Sequence, residues 1–310
     1  MAELIPSLIW YNEKIVPWEK ATVHVWSELA IRGTSVFEGL RAYWNGSDNK
    51  YYILSLDDHM RRFAQSARLL WIPCTQELIK KFRKGIFELI LALNFCEHCY
   101  IRPTIFIQSG RYGYKPEEVT LGSYIVVFPV PRPQLTTVGS RACVSSWRRL
   151  TDSTLPPRIK AGAAYTAFRM PTIEAKRKGV NEAILLNERN KVAETPGSAI
   201  FIIRDGQVIT PPVTAGILES ITRKNTIELL KIEFNLEVIE REVDRTELYI
   251  ADEIFTCGTL SEIQPVIEVD DIKIGNGEPG SLTCKFRDRY FQICDSGSKA
   301  PYNWLTPVVL

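Results

Sequence analysis

No stretch of this chain approaches the roughly 20 consecutive apolar residues that a bilayer-spanning helix needs. The longest apolar runs, such as "SYIVVFPV", are far shorter. The opening "MAELIPSL" lacks the basic stretch and apolar core of a secretory signal. Neither sign of charge prevails, with 38 Lys plus Arg against 36 Asp plus Glu, so no long-range basic field exists to draw nucleic acid or an anionic membrane. Histidine is scarce, at three in 310 residues, and that weighs against a metal site. "CEHCY" sets Cys96, His98 and Cys99 at a clip-like spacing, but a closed zinc site takes four ligands, and neither His24, His59 nor a second Cys-x-x-Cys completes the set. No metal is expected, and the two thiols read as small apolar residues at a helix-to-strand junction. An odd count of seven cysteines reads as reduced thiols in a soluble, cytoplasmic protein. G-x-G-x-x-G and P-loop motifs are missing too, so a doubly wound nucleotide fold has no support. Small-molecule chemistry remains.

What is present suffices for two cores: 45% of the 310 residues are hydrophobic. "LIWYNEKIV", "SVFEGLRAYW" and "KYYILSL" read as strands of two hairpins. In "TQELIKKFRKGIFELILAL" apolar residues recur every three or four positions behind Thr75, a good N-cap, and predict a helix. "YIRPTIFIQ" and "SYIVVF" add two strands before "PVPRP", whose prolines cannot donate into a sheet ladder. The boundary is placed there, giving a small domain over 1–128, a proline-rich interdomain loop over 129–136 and a large domain over 137–310. The latter alternates strands ("RACVSS", "NEAILLN", "SAIFIIRDGQVI", "LEVIER", "ADEIFTCG", "IQPVIEVDDIKIGNG") with helices around "YTAFRMPTIEAKRKG", "ITRKNTIELLKIEF" and "SLTCKFRDRYFQIC". Hairpins mixed with helices predict an α+β class.

One lysine stands out by its surroundings. A lone lysine is ordinarily solvated, yet in "PPRIKAGAAY" Lys160 precedes Ala161, Gly162, Ala163 and Ala164, which leave room for a flat ligand near the backbone, and Tyr165, which brings a phenol. A lysine in a dry pocket loses its charge more readily. The neutral amine forms a Schiff base with a carbonyl, chemistry that pyridoxal phosphate exploits most widely. Such a cofactor needs an acid at its pyridine nitrogen and N–H groups for its phosphate.

With "RGTSVFEGLRAY", "HMRRFAQSARL", "YIRP", "VSSWRR", "PPRIKAGAAY", "ETPGSAIF", "LESITR" and "ADEIFTCGTLSEIQPV" in order, the chain resembles, over nearly its whole length, the class IV (fold-type IV) aminotransferases. It is most similar to the branched-chain amino-acid aminotransferases. The resemblance implies a two-domain α+β fold of the D-amino-acid aminotransferase type, with 137–310 binding the cofactor, pyridoxal 5′-phosphate. It makes Lys160 the Schiff-base lysine and proton carrier, Tyr165 the partner of the phenolic oxygen, and Glu194 the acid at the pyridine nitrogen. Arg62 would bind the phosphate with Ile221 and Thr222, which open a helix whose free N–H groups favour an anion. Leu218 would pack on the ring. Thr259 would serve the phosphate and, with Leu260, the substrate carboxylate.

For the substrate, Tyr100 and Arg102 lie two apart on a predicted strand and so share a face. The family uses this pair to read carboxylates of L-amino acids. Phe37, Gly39 and Arg41 match pocket or pocket-wall positions. Four departures stand out: Arg32 where members have tyrosine, "PVPRPQL" in place of a segment that supplies another, Ser220 in place of glycine and Ala199 in place of asparagine. Arg32 could hold the side-chain carboxylate of glutamate, which is the reading preferred here, point to solvent, or mark the branch that accepts (R)-amines. The expected reaction is a ping-pong transfer of the amino group of leucine, isoleucine or valine to 2-oxoglutarate. An (R)-amine or D-amino-acid transaminase is the alternative, and an aminodeoxychorismate lyase or a non-catalytic relative stands further off. Partners are amino acids and 2-oxo acids. A homodimer or higher even homo-oligomer is implied, with "SGRYGYKP" as the loop lent to the neighbour.

Overall fold

The computed structural model describes residues 5–109 and 118–309. By contacts the chain divides into two units, one of Met1–Pro131, Ile159–Ala163 and Gln292–Leu310, the other of Arg132–Arg158 and Ala164–Phe291. The loop expected to reach a neighbour lies, over 110–116, outside the described residues. Among the described residues no helix is long and apolar enough to cross a membrane.

The first unit holds β1 (Leu8–Tyr11), β2 (Lys14–Pro17), β3 (Ser35–Phe37), β4 (Leu40–Asn45), β5 (Lys50–Leu54), β6 (Cys99–Ser109) and β7 (Thr120–Pro129), with α1 (Glu28–Arg32), α2 (Leu56–Leu69) and α3 (Gln76–Leu93). Its last strand, Leu305–Pro307, is β16 in chain order. The sheet runs β16-β5-β4-β6-β7-β1-β2, with β3 added on β6, and its pairs are antiparallel. α3 forms where the apolar period placed it: Thr75 Oγ1 accepts the N–H of Leu78 at 3.2 Å, Phe82, Ile86, Leu89 and Ile90 are buried, and Asn94 ends the helix in the left-handed region. Phe82 meets Trp10 and Phe63 at centroid distances of 5.3 and 4.9 Å.

The second unit holds β8 (Ser140–Arg148), β9 (Glu182–Leu186), β10 (Ala199–Arg204), β11 (Gln207–Thr210), β12 (Val238–Glu240), β13 (Glu253–Gly258), β14 (Glu262–Val269) and β15 (Ile272–Lys273). Its helices are α4 (Leu135–Val138), α5 (Gly162–Arg177), α6 (Ile221–Phe234), α7 (Arg245–Leu248) and α8 (Ser281–Asp295), whose last residues group with the first unit. The order is β12-β11-β10-β13-β14-β8-β9, with β15 on β14. Three pairs are parallel, β8 with β9, β8 with β14 and β11 with β12. Ile200, Ile202, Ile254, Val266 and Ile184 lie in one buried cluster.

This division differs from a single C-terminal domain over 137–310. β16 bonds to β5 in the register Leu305↔Leu54, and Ser55 N–H reaches the Trp304 carbonyl at 2.6 Å, so the chain's last strand completes the first sheet. The lysine segment, Ile159–Ala163, returns to the same unit. In "CEHCY" Cys99 is wholly buried, but Cys96 is exposed, so only the former packs as an apolar residue. His98 Nδ1 accepts the N–H of Trp44 at 3.1 Å. Among the described residues no three His, Cys, Asp or Glu side chains are placed to hold a metal.

Gly85, in the middle of α3, tests which force prevails. Glycine to alanine in a helix interior ordinarily gains about 0.5–1 kcal/mol, but a Cβ here would sit 2.5 Å from Nε1 and Cε2 of Trp10, a ring only 2% exposed. Overpacking costs about 1–3 kcal/mol. Gly85→Ala is expected to lower the urea midpoint of unfolding, against its helix propensity.

Candidate functional site

In the first unit the backbone of Lys160 is held from two sides. Its N–H donates to Ser66 Oγ of α2 at 3.2 Å, and its carbonyl accepts the N–H of Phe37 at 3.0 Å. Ala161 bridges Val36 in antiparallel fashion, so the lysine segment adds to β3 as a short strand would. Here the small residues find their use. A Cβ on Gly162 would lie 2.4 Å from Ser35 Oγ and 3.2 Å from the Gly33 carbonyl, and Gly33, at φ 69°, packs against Ala163. The close approach is thus chain on chain, whereas the sequence suggested room for a flat ligand. The Lys160 side chain is half-buried, with Nζ 5.0 Å from the centroid of the Phe37 ring.

The same unit gathers the carboxylate-reading candidates. Arg102 lays its guanidinium carbon 3.7 Å from the Phe37 centroid, and Phe37 is 2% exposed. Gly39 gives space to Tyr100, since a Cβ there would stand 2.4 Å from the tyrosine hydroxyl. Arg41, expected at a pocket or pocket-wall position, pairs with Tyr100 in the β4–β6 register, is wholly buried and donates Nη2 to the Val130 carbonyl at 2.9 Å. It ties β4 to the start of the proline-rich segment. Arg32 is exposed in the last turn of α1, 3.9 Å from Glu28.

Arg62 is not a simple exposed cation. Its Nε and Nη2 fork onto Glu38 Oε1 and Oε2 at 2.7 and 2.8 Å, and His59 Nδ1 lies 2.7 Å from Oε2. Glu38 is wholly buried. Burial pushes its carboxyl up, but the Arg62 charge and the hydrogen bonds from Arg62 and His59 prevail and hold it far below its ordinary 4.5. Burial keeps the His59 imidazole below its ordinary 6.5 against the pull of Glu38. An ionised carboxylate only accepts, so the neutral ring presents Nδ1–H to it.

In the second unit Glu194, 4% exposed, takes Arg149 Nε on Oε1 at 2.6 Å and the Leu218 N–H on Oε1 and Oε2 at 3.2 and 3.1 Å. Three residues after Leu218, α6 begins at Ile221. Ser220 caps it, accepting the Arg223 N–H at 3.2 Å. The N–H groups of Ile221 and Thr222 belong to the first turn, which has no intrahelical acceptor, at the positive end of the helix dipole. Ser220 therefore suits its place where the family has glycine. Tyr165, on α5, meets Phe168 edge-on at 5.1 Å. Thr259 and Leu260 form the turn between β13 and β14, beside which Ser261 Oγ and Ser198 Oγ are 2.7 Å apart.

Two residues escaped the sequence reading. Glu38 sits inside "VFEGL", where only its total burial marks it. Arg149 ends "VSSWRR" beside the exposed Arg148, and only its burial marks it. As chemistry the donor set fits pyridoxal phosphate. A buried carboxylate with acceptor capacity suits a ring N–H, a capped helix start suits a phosphate, and a half-buried amine suits an aldehyde.

Comparison with known proteins agrees. Residues 35–269 match the family model described as amino-transferase class IV. A probable branched-chain-amino-acid aminotransferase of Aquifex aeolicus (strain VF5) is 39% identical over 96% of this chain and 96% of its own. The branched-chain amino acid aminotransferase of Thermobaculum terrenum in PLP form gives a TM-score of 0.90 at 39% identity, over 98% of this chain and 99% of that one. The branched-chain aminotransferase of the archaeon Thermoproteus uzoniensis with norvaline gives 0.89 at 36% identity, over 98% and 100%.

The Glu38 cluster predicts an acid limb of stability. Because the folded carboxyl lies below the 4.5 of an unperturbed glutamate, its contribution is complete above pH 4.5 and is lost as pH falls towards the folded value. Glu38→Gln strands a buried guanidinium and should cost about 3–5 kcal/mol at neutral pH. Denaturant midpoints measured across pH should also fall less steeply below pH 4.5 in the variant than in the native chain.

Proposed function

This chain belongs to the class IV aminotransferases, and from that membership we infer that it moves the amino group of branched-chain L-amino acids to 2-oxoglutarate. Pyridoxal 5′-phosphate is the cofactor. When bound it supplies an aldehyde for the amino group and a ring that spreads the charge left when the substrate carbon loses its proton. The observation that carries the reading is the strip from Leu218 to Thr222: one end donates to the buried Glu194 carboxylate and the other opens α6. The partner of the acid for a ring nitrogen and a cradle for a phosphate thus lie within five residues.

The roles are those that the family resemblance implies, and each residue's setting supports them. Lys160, fixed along its backbone, carries a proton at Nζ between the substrate Cα and the cofactor. Glu194 accepts the ring N–H, Tyr165 donates to the phenolic oxygen, and Leu218 covers the ring. Ile221, Thr222 and Thr259 donate to the phosphate. Arg62 adds positive charge to it, with the orientation of its fork set by Glu38 and His59. Tyr100 and Arg102 bind carboxylate, Leu260 and Thr259 add backbone N–H groups, and Phe37 with Gly39 shapes an apolar wall. The (R)-amine and D-amino-acid readings give way to the branched-chain one, the substrate class in the names of the relatives above. A homodimer and a cytoplasmic setting complete the proposal, the latter resting on seven cysteines without a disulfide.

Three measurements test it. Lys160→Ala should lose kcat by at least about 10²–10⁴, the worth of a positioned acid–base group. With 2-oxoglutarate as acceptor, leucine should be consumed while D-alanine and (R)-1-phenylethylamine are not. Turnover of the amine without turnover of leucine overturns the substrate class, and a native chain that runs as an active monomer in sedimentation overturns the dimer.

A further inference from the structure

Arg149 has no part in the roles given above, yet it touches one of the groups that do and reaches a second through Phe168. It follows the end of β8, its backbone N–H bonded to the Leu186 carbonyl at 2.9 Å, and its side chain is 3% exposed. Nε donates to Glu194 Oε1 at 2.6 Å. On its other side the guanidinium carbon lies 4.8 Å from the centroid of Phe168. Phe168, 8% exposed, meets the ring of Tyr165 edge-on at 5.1 Å and 77°. Tyr165 and Phe168 are three apart on α5 and so lie on one face. A continuous line of contacts therefore runs from the Glu194 carboxylate through a buried cation and an aromatic ring to the Tyr165 phenol.

This contact is costly to keep. Arg149 engages Glu194 through one nitrogen rather than the two-pronged fork such pairs prefer, and its Nη1 is buried without a hydrogen-bond partner among the described residues. A group retained only for stability would be expected to meet its donors more fully. Neighbouring Arg148 does so at the surface, with Nη2 on Asn190 and Nη1 on the Ser145 carbonyl.

We propose that Arg149 is a positioning residue that sets Glu194 and, through Phe168, Tyr165. It thereby couples the acid at the cofactor's ring nitrogen to the phenol at its phenolic oxygen. The inference rests on the roles proposed for those two residues. Glu194 would keep its place only while the guanidinium holds one oxygen and the Leu218 N–H spans both. Phe168, pinned under the same cation, would help to hold the tilt of Tyr165.

The test uses holoenzyme. In Arg149→Met, an unbranched side chain without charge, the pH midpoint of the cofactor's visible absorbance band should shift. Cofactor affinity should fall, and kcat should drop by about 10- to 100-fold with KM little changed, the range seen when a partner that orients a contacting group is removed. Arg149→Lys should restore part of the midpoint, and Phe168→Leu should shift it in the same direction but less. If Arg149→Met does not fold, the latter two decide by the same shift. A native midpoint and native affinity in the Arg149 and Phe168 variants, while Glu194→Gln alters both, overturn the proposal. If Glu194→Gln is native in both respects, the role assigned to Glu194 falls first.

Discussion

The close approach of residues 161–163 to residues 33–37 is the constraint on which the first unit's chemistry depends. A strand-like bridge and two backbone hydrogen bonds leave Lys160 little freedom except in its side chain, and they do so because no bulky Cβ stands in the way at Gly162. The contact also brings Phe37 under the amine, and Arg102 lies over the same ring. A cation stacked on a ring that a second cation approaches is electrostatically crowded, which favours a carboxylate nearby.

Both units solve the same problem in the same way. Each buries a carboxylate, Glu38 or Glu194, and removes its desolvation penalty with a guanidinium and an N–H group. A buried ion pair is poor evidence of net stability, because hydrophobic residues of equal volume often do as well. Its value here is direction. Glu38 holds Arg62 in one orientation, and the Arg149 and Leu218 donors leave Glu194 one preferred way to face. Groups meant to contact a planar, charged molecule gain more from a fixed heading than from added stability.

Much of this was legible in the residue order. The period of three and four in α3, the cap at Thr75, the strand pairs and the start of α6 at Ile221 are local consequences of side-chain pattern, and the structure realises them. The lysine, the acid and the helix start were found by motif. What was not legible depends on contacts between distant segments. The small residues after Lys160 suggest a ligand until the partner strand is known. Arg148 and Arg149 are indistinguishable as letters and separate only by burial. The complete burial of Arg41 and its bond to the Val130 carbonyl are likewise invisible in the letters. The strand at Leu305–Pro307 is three residues long and ends in proline, too little for a periodic signal, and only its ladder to β5 reveals it.

That last strand bears on how the chain can be made. During synthesis from the N-terminus, β5 and its neighbours emerge long before residues 305–307, with the whole second unit still to come. Until then one flank of the first sheet stands open, offering unpaired N–H and carbonyl groups to any other nascent strand. The strip that carries Lys160 is also missing from the first 131 residues. The first unit therefore cannot finish before the second has left the ribosome, and a polypeptide interrupted anywhere in between carries an unsealed sheet.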